Sequence, residues 1–129
     1  MIVDSSAIIA ILLREPAGAD LVDHLTAAPA AGVGAPTLVE AGIVLASRIG
    51  LPGKTLLARF VQEAGLAVIP FSSDHWSVAV DAWHRFGKGH HPAALNLGDC
   101  MAYAVAKLAS QPLLCIGDDF TKTDLEIVR

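Results

Sequence analysis

Three carboxylates stand alone in stretches of this chain that otherwise read as buried. Asp4 is the only charge in residues 1–13, Glu40 the only one in 25–47 and Asp99 the only one in 92–106, while the pair Asp118 and Asp119 follows the apolar run "PLLCIG". Each has an ordinary explanation. Asp4 and Asp99 suit helix N-caps, whose side chains accept first-turn N–H groups, and Glu40 suits exposure at the rim of a sheet. Glu40 resists that reading more than the others, because Ile43 and Val44 at i+3 and i+4 share its helix face. Brought together, such acids repel and raise one another's pKa unless a cation holds them, and an all-oxygen donor set suits Mg²⁺ or Mn²⁺. One or two such ions lower the pKa of a water, orient a phosphodiester and stabilise its leaving oxygen. The chemistry expected is phosphodiester hydrolysis.

The elements must bring these acids to one place. "MIV" reads as a strand ending at Asp4, and "SSAIIAILLRE" as a helix with Ser caps and a stop at Pro16. Residues 17–28 form a second helix, "AAGVGA" a strand, and "PTLVEAGIVLASRIG" a helix with Pro36 in its first turn and Gly50 at its close. "GKTLLARFVQEAG" is a further helix and "LAVIP" a third strand. Ser72 or Ser73 caps "DHWSVAVDAWHRFG", an irregular "KGHHPAALNLG" precedes the helix headed by Asp99, and "PLLCI" is a fourth strand. The alternation predicts one α/β domain over residues 1–129, with a central parallel sheet of four to five short strands and helices on both faces. In such a sheet the carboxyl ends of strands and the amino ends of the following helices share one edge, where ligands bind. Asp4, Glu40, Asp99 and the Asp118–Asp119 pair all fall there, provided that the segment from Lys88 to Gly98 climbs back to that edge.

Other residues support or border this site. Ser6 can hydrogen-bond a carboxylate or an ion-bound water, or serve as a plain cap residue. In "RFGKGHH", Arg85 and Lys88 can hold substrate phosphates, or simply complement the helix dipole beside a Gly87 cap. His90 and His91 lack the companion pair that a zinc site needs. Trp76 and Trp83, seven apart on one helix face, suit core or interface better than a base-stacking platform.

Composition limits the class. The 129 residues are 53% hydrophobic and 17% charged, with net charge −4, against roughly 25% charged in an ordinary domain. So apolar a chain favours a permanent partner or self-association, and its sign argues against a generally basic nucleic-acid surface. No apolar run is long enough to span a membrane, and the N-terminus lacks a basic region and cleavage site, so no secretion signal is expected. Cys100 and Cys115 make no disulfide framework and fit a reducing cytoplasm.

The segments "MIVDSSAIIAILLREP", "PTLVEAGIVLAS", "GKGHHPAALNLGDCMAYAVAK" and "PLLCIGDDFTKTDLEIV" together resemble PIN-domain ribonucleases, specifically the VapC-type toxins of type II toxin–antitoxin pairs. The resemblance spans nearly the whole chain. It implies a Mg²⁺- or Mn²⁺-dependent endoribonuclease acting on RNA, a homodimer, and neutralisation by a VapB-type antitoxin whose tail covers the acidic pocket. By position, Asp4, Glu40 and Asp99 match the family's first three acids, and Asn96 a residue common in this subgroup that steadies the loop before Asp99. The fourth acid is Asp118 or Asp119. Adjacent residues of a strand point to opposite sides, Phe120 is expected to tuck inward, and the family places its acid directly before that Phe, which favours Asp119. A receiver-like phospho-acceptor would need an Asp after the third strand, where this chain has "VIPFSS". A haloacid-dehalogenase-like phosphatase would need an acid at Ser6. A PIN-fold binding protein with a dead site is the non-enzyme alternative, yet the acids are all present.

Overall fold

The computed structural model describes residues 1–129. Five short strands, β1 (Ile2–Val3), β2 (Gly32–Gly34), β3 (Ala67–Ile69), β4 (Leu113–Leu114) and β5 (Ile127–Val128), form one sheet in the order β3-β2-β1-β4-β5. All neighbours are parallel, with Ile2 beside Leu113 and Leu113 beside Ile127. Six helices connect them: α1 (Ser5–Leu12), α2 (Gly18–Ala27), α3 (Ala35–Ile49), α4 (Pro52–Glu63), α5 (Ser73–Phe86) and α6 (Leu97–Ala109). The expected α/β class and both-face packing hold, and the sheet has the upper of the two strand numbers. Its fifth strand comes from the C-terminal "IV".

Alternation along the two central strands divides the core. Ile2 and Leu113 pack with residues of α5 and α6 on one face, among them Ala82, Phe86, Cys100 and Tyr103. Val3 and Leu114 pack with α1 to α4 on the other, around Ile8, Leu21, Leu45 and Leu57.

Two expectations about the approach to Asp99 are corrected. The segment after α5 makes no climb. Lys88 N–H donates to the Leu95 carbonyl at 2.9 Å and Leu95 N–H to Phe86 at 3.0 Å, so Gly87 and Leu95 pair side by side and the loop between them closes on itself. Helix α5 itself covers the distance, ending where α6 begins. Nor does Asp99 cap α6. Asn96 is the N-cap, and Asp99 is the third residue of the helix, because a capping box needs an acceptor at both positions and "NLGD" supplies them.

Candidate active site

The carboxyl edge of the sheet carries the acids, three of which are fixed by partners. Asp4 ends β1, caps α1 and is buried, 3% exposed. Its Oδ2 accepts the Ser6 hydroxyl at 2.6 Å and the Ser6 N–H at 3.1 Å. The Ser6 oxygen in turn accepts the Ile116 N–H at 3.1 Å, joining the end of β1 to the segment after β4. Oδ1 of Asp4 is buried with no hydrogen-bond partner. Burial raises this carboxyl's pKa, the Ser6 bonds oppose the rise, and the charge of Glu40 adds to it.

Glu40, on α3, accepts the Ser5 hydroxyl at Oε1, 2.5 Å away. Asp99 N–H donates to Asn96 Oδ1 at 2.9 Å, and Asn96 N–H donates back to Asp99 Oδ2 at 3.1 Å. Burial pushes Asp99 up to about 6; the bond from Asn96 opposes this, and the fields of Asp4, Glu40 and Asp119 reinforce it. The four acids Asp4, Glu40, Asp99 and Asp119 are therefore within electrostatic reach at one edge. Asp118 is drawn elsewhere. Its Oδ1 accepts Arg129 Nη1 at 2.6 Å, and that bond, with the arginine's charge, holds the exposed carboxyl below the usual range. The turn between the two acids starts at Gly117, whose φ of +88° is the left-handed conformation that glycine adopts freely. Phe120 is buried as expected and opens a short 3₁₀ turn.

The acids share this edge without forming a ready-made cage: no three of the chain's His, Cys, Asp and Glu side chains are grouped closely enough to hold an ion by themselves. Each of Asp4, Glu40 and Asp99 has one oxygen tied to a donor. The fit to a hard cation rests on what is left over. A buried carboxylate oxygen without a donor is costly, and Asp4 Oδ1, beside other carboxylates whose charges raise the pKa of Asp4 and Asp99, is the atom that a divalent ion would satisfy.

The two cations expected to meet substrate phosphates differ in their surroundings. Arg85 turns to Asp124 Oδ2 at 3.5 Å and to the Tyr103 hydroxyl at 3.4 Å. Asp124 also accepts Lys107 at 2.7 Å and Tyr103 at 2.6 Å. Burial favours its neutral form, but these bonds and charges together outweigh that and bring its pKa down to about 2. Lys88 is exposed and belongs to none of the chain's salt bridges. Arg129, delivered to the acidic edge by β5, is not among the site residues expected from the sequence, and neither are Ser5 and Glu15. Glu15 lines a cleft of about 330 Å³ with Ser5, Ser6 and Glu40. "EIVR" at the end of an apolar pair was the available signal for Arg129; Ser5 had none, since its partner lies 35 residues away. His90 bonds the Trp83 and His84 carbonyls and His91 accepts the Ala93 N–H. Cys115 lies fully buried near these acids; burial, with Asp4 adding, pushes its thiol up to about 12. Both cysteines are free.

A PIN domain family model matches residues 1–125. The chain belongs to the PIN-domain family. Within it, this PIN domain is 46% identical over 127 residues to ribonuclease VapC36 of Mycobacterium tuberculosis, covering 98% of the chain and 91% of that relative. It is 38% identical over 129 residues to ribonuclease VapC of Mycolicibacterium smegmatis, at full coverage of both. Among solved structures, Mycobacterium tuberculosis VapC20, a sarcin–ricin loop cleaving toxin, superposes with a TM-score of 0.82 at 18% identity over 99% of this chain and 98% of that one. The Rickettsia felis VapBC2 complex, bound to a promoter DNA fragment, gives a TM-score of 0.76 at 12% identity over 98% and 96%. These structural likenesses concern the fold. PIN-domain ribonucleases depend in general on divalent metal ions, and no helix of this PIN domain is long and apolar enough to cross a membrane.

Proposed function

We propose that this protein is the toxin of a type II toxin–antitoxin pair, an endoribonuclease that hydrolyses RNA phosphodiester bonds with Mg²⁺, or Mn²⁺ in its place, held by Asp4, Glu40, Asp99 and Asp119. The observation that carries the reading is the buried, partnerless Oδ1 of Asp4 at an edge where the charges of Asp4, Glu40 and Asp119 all act on Asp99. A PIN fold that only bound a partner would gain nothing from so costly an arrangement.

When bound, the ion supplies an ionisable water and charge for the leaving oxygen. The side chains do the positioning. Ser6, Ser5 and Asn96 each hold one oxygen of Asp4, Glu40 and Asp99, which fixes the carboxylates that would hold the ion. Asp99, with a pKa raised to about 6, would hold the ion in its ionised form. Lys88, free of intramolecular ion pairs, takes the phosphate-binding role expected of it together with Arg85, while Arg85 is occupied by Asp124.

A VapB-type antitoxin is the expected partner. An apolar groove of about 670 Å³ between α3 and α4, lined by Val39, Ile43, Leu51 and Leu57 among others, adjoins the helix that carries Glu40; its mostly apolar lining suits a partner segment. Trp76 and Trp83, exposed by 62% and 45% on α5, fit the interface reading and a homodimer. The test is direct: antitoxin-free protein should cleave RNA with Mg²⁺ or Mn²⁺ and stop with EDTA. Cleavage that persists in EDTA and in Asp4→Asn would refute the proposal.

A further inference from the structure

Gly98 is the second residue of α6, and glycine weakens a helix relative to alanine. Its backbone gives no reason for it, since its φ is not among the positive ones. The reason lies across the site. A Cβ built on Gly98 would stand 2.8 Å from Cδ of Glu40 and 3.0 Å from its Oε1, and closer still to Oε2. On another side the same carboxylate accepts the Ser5 hydroxyl. Glu40 thus reaches from α3 into a seat bounded by the bare first turn of α6 and the first turn of α1, beside Asp99, where the positive end of the α6 dipole also favours an anion.

We infer that Gly98 is a positioning residue for Glu40: the missing side chain is what allows this carboxylate to lie against the start of α6, next to Asp99 and Asp4. The inference rests on the reading of Glu40 as an ion ligand. The nearest atoms that an added methyl would meet all belong to the carboxylate end of a flexible side chain. The fold therefore accommodates the methyl, and Glu40 moves.

The experiment pairs thermal melting with Mn²⁺ titration by electron paramagnetic resonance. Gly98→Ala should melt at or above the wild-type temperature, yet bind Mn²⁺ about 10-fold or more weakly, the size of effect seen when a ligand loses its support. Adding Glu40→Asp, one methylene shorter, should restore part of the lost affinity in the Gly98→Ala background while lowering it in the wild-type background. Wild-type Mn²⁺ affinity in Gly98→Ala overturns the inference. So does a loss accompanied by a lowered melting temperature and not rescued by Glu40→Asp, which would mark a defective helix start. Unchanged Mn²⁺ affinity in Glu40→Gln would instead remove the ligand reading on which the inference stands.

Discussion

The Ser6 hydroxyl donates to Asp4 Oδ2 at 2.6 Å while accepting the Ile116 N–H at 3.1 Å, so one side chain both orients the first acid and ties β1 to the segment that leads to the fourth. Ser6→Ala removes both bonds. It should lower stability by about 1 kcal/mol and Mn²⁺ affinity by roughly 10-fold or more, whereas Ser6→Thr should retain most of both. Chemical denaturation and Mn²⁺ titration of the two variants check this; equal losses in both would assign the effect to packing.

Asp119, not Asp118, should complete the site. The Asp118 carboxyl is bound to Arg129 and is absent from the charges that act on Asp99, where Asp119 is present. Asp119→Asn should therefore weaken Mn²⁺ binding and RNA cleavage clearly, and Asp118→Asn only slightly. A larger loss for Asp118→Asn reverses the assignment.

The cations divide in the same way. Neutralising Lys88 should flatten the salt dependence of RNA binding by about one phosphate contact. Arg85→Gln should leave that slope unchanged and loosen the Asp124 cluster, seen as a lower melting temperature. A flattened slope for Arg85→Gln would restore it to the substrate surface.

Acidity should stabilise the metal-free protein around this site. The folded-state pKa of Asp99 is raised from 3.8 to about 6, so the folded protein binds a proton that the unfolded chain releases. The ionised carboxyl's cost is absent below about 4, grows between about 4 and 6, and is complete above 6. Melting of the metal-free protein should accordingly shift upward between pH 7 and pH 5 through this group, and Asp99→Asn should remove that part of the shift. Mn²⁺ should raise the melting temperature more at pH 7 than at pH 5. The opposite pH trend in the Asp99-dependent part would contradict the arrangement.

How far the sequence could be read depended on the range of each interaction. The strand-and-helix alternation, the Pro36 start and Gly50 close of α3, the Ser72 cap of α5 and the isolation of Asp4, Glu40 and Asp99 are local signals, and the structure contains each of them. The cap of α6 is also local: "NLGD" holds a reciprocal pair whose first member, Asn96, starts the helix, so an isolated charge at Asp99 does not by itself mark the cap. The strand at Ile127–Val128 is two residues long, too short for any periodicity, and exists because Leu113 and Leu114 pair with it. Arg85 has its partner 39 residues away at Asp124, and Glu40 has Ser5 at a separation of 35. No spacing rule reaches so far.

The central claim is that Asp4 and its neighbours are set apart for a divalent ion at the expense of stability, and one paired measurement addresses it. Asn caps a helix about as well as Asp, so Asp4→Asn keeps α1 intact while removing the buried charge. Mn²⁺ titration and thermal melting of metal-free wild type and Asp4→Asn at pH 7.5 should show saturable binding in the wild type, at least 10-fold weaker binding in the variant, and a higher metal-free melting temperature for the variant. Equal Mn²⁺ affinity in the two proteins, or a variant that melts lower while binding the ion normally, would contradict the account.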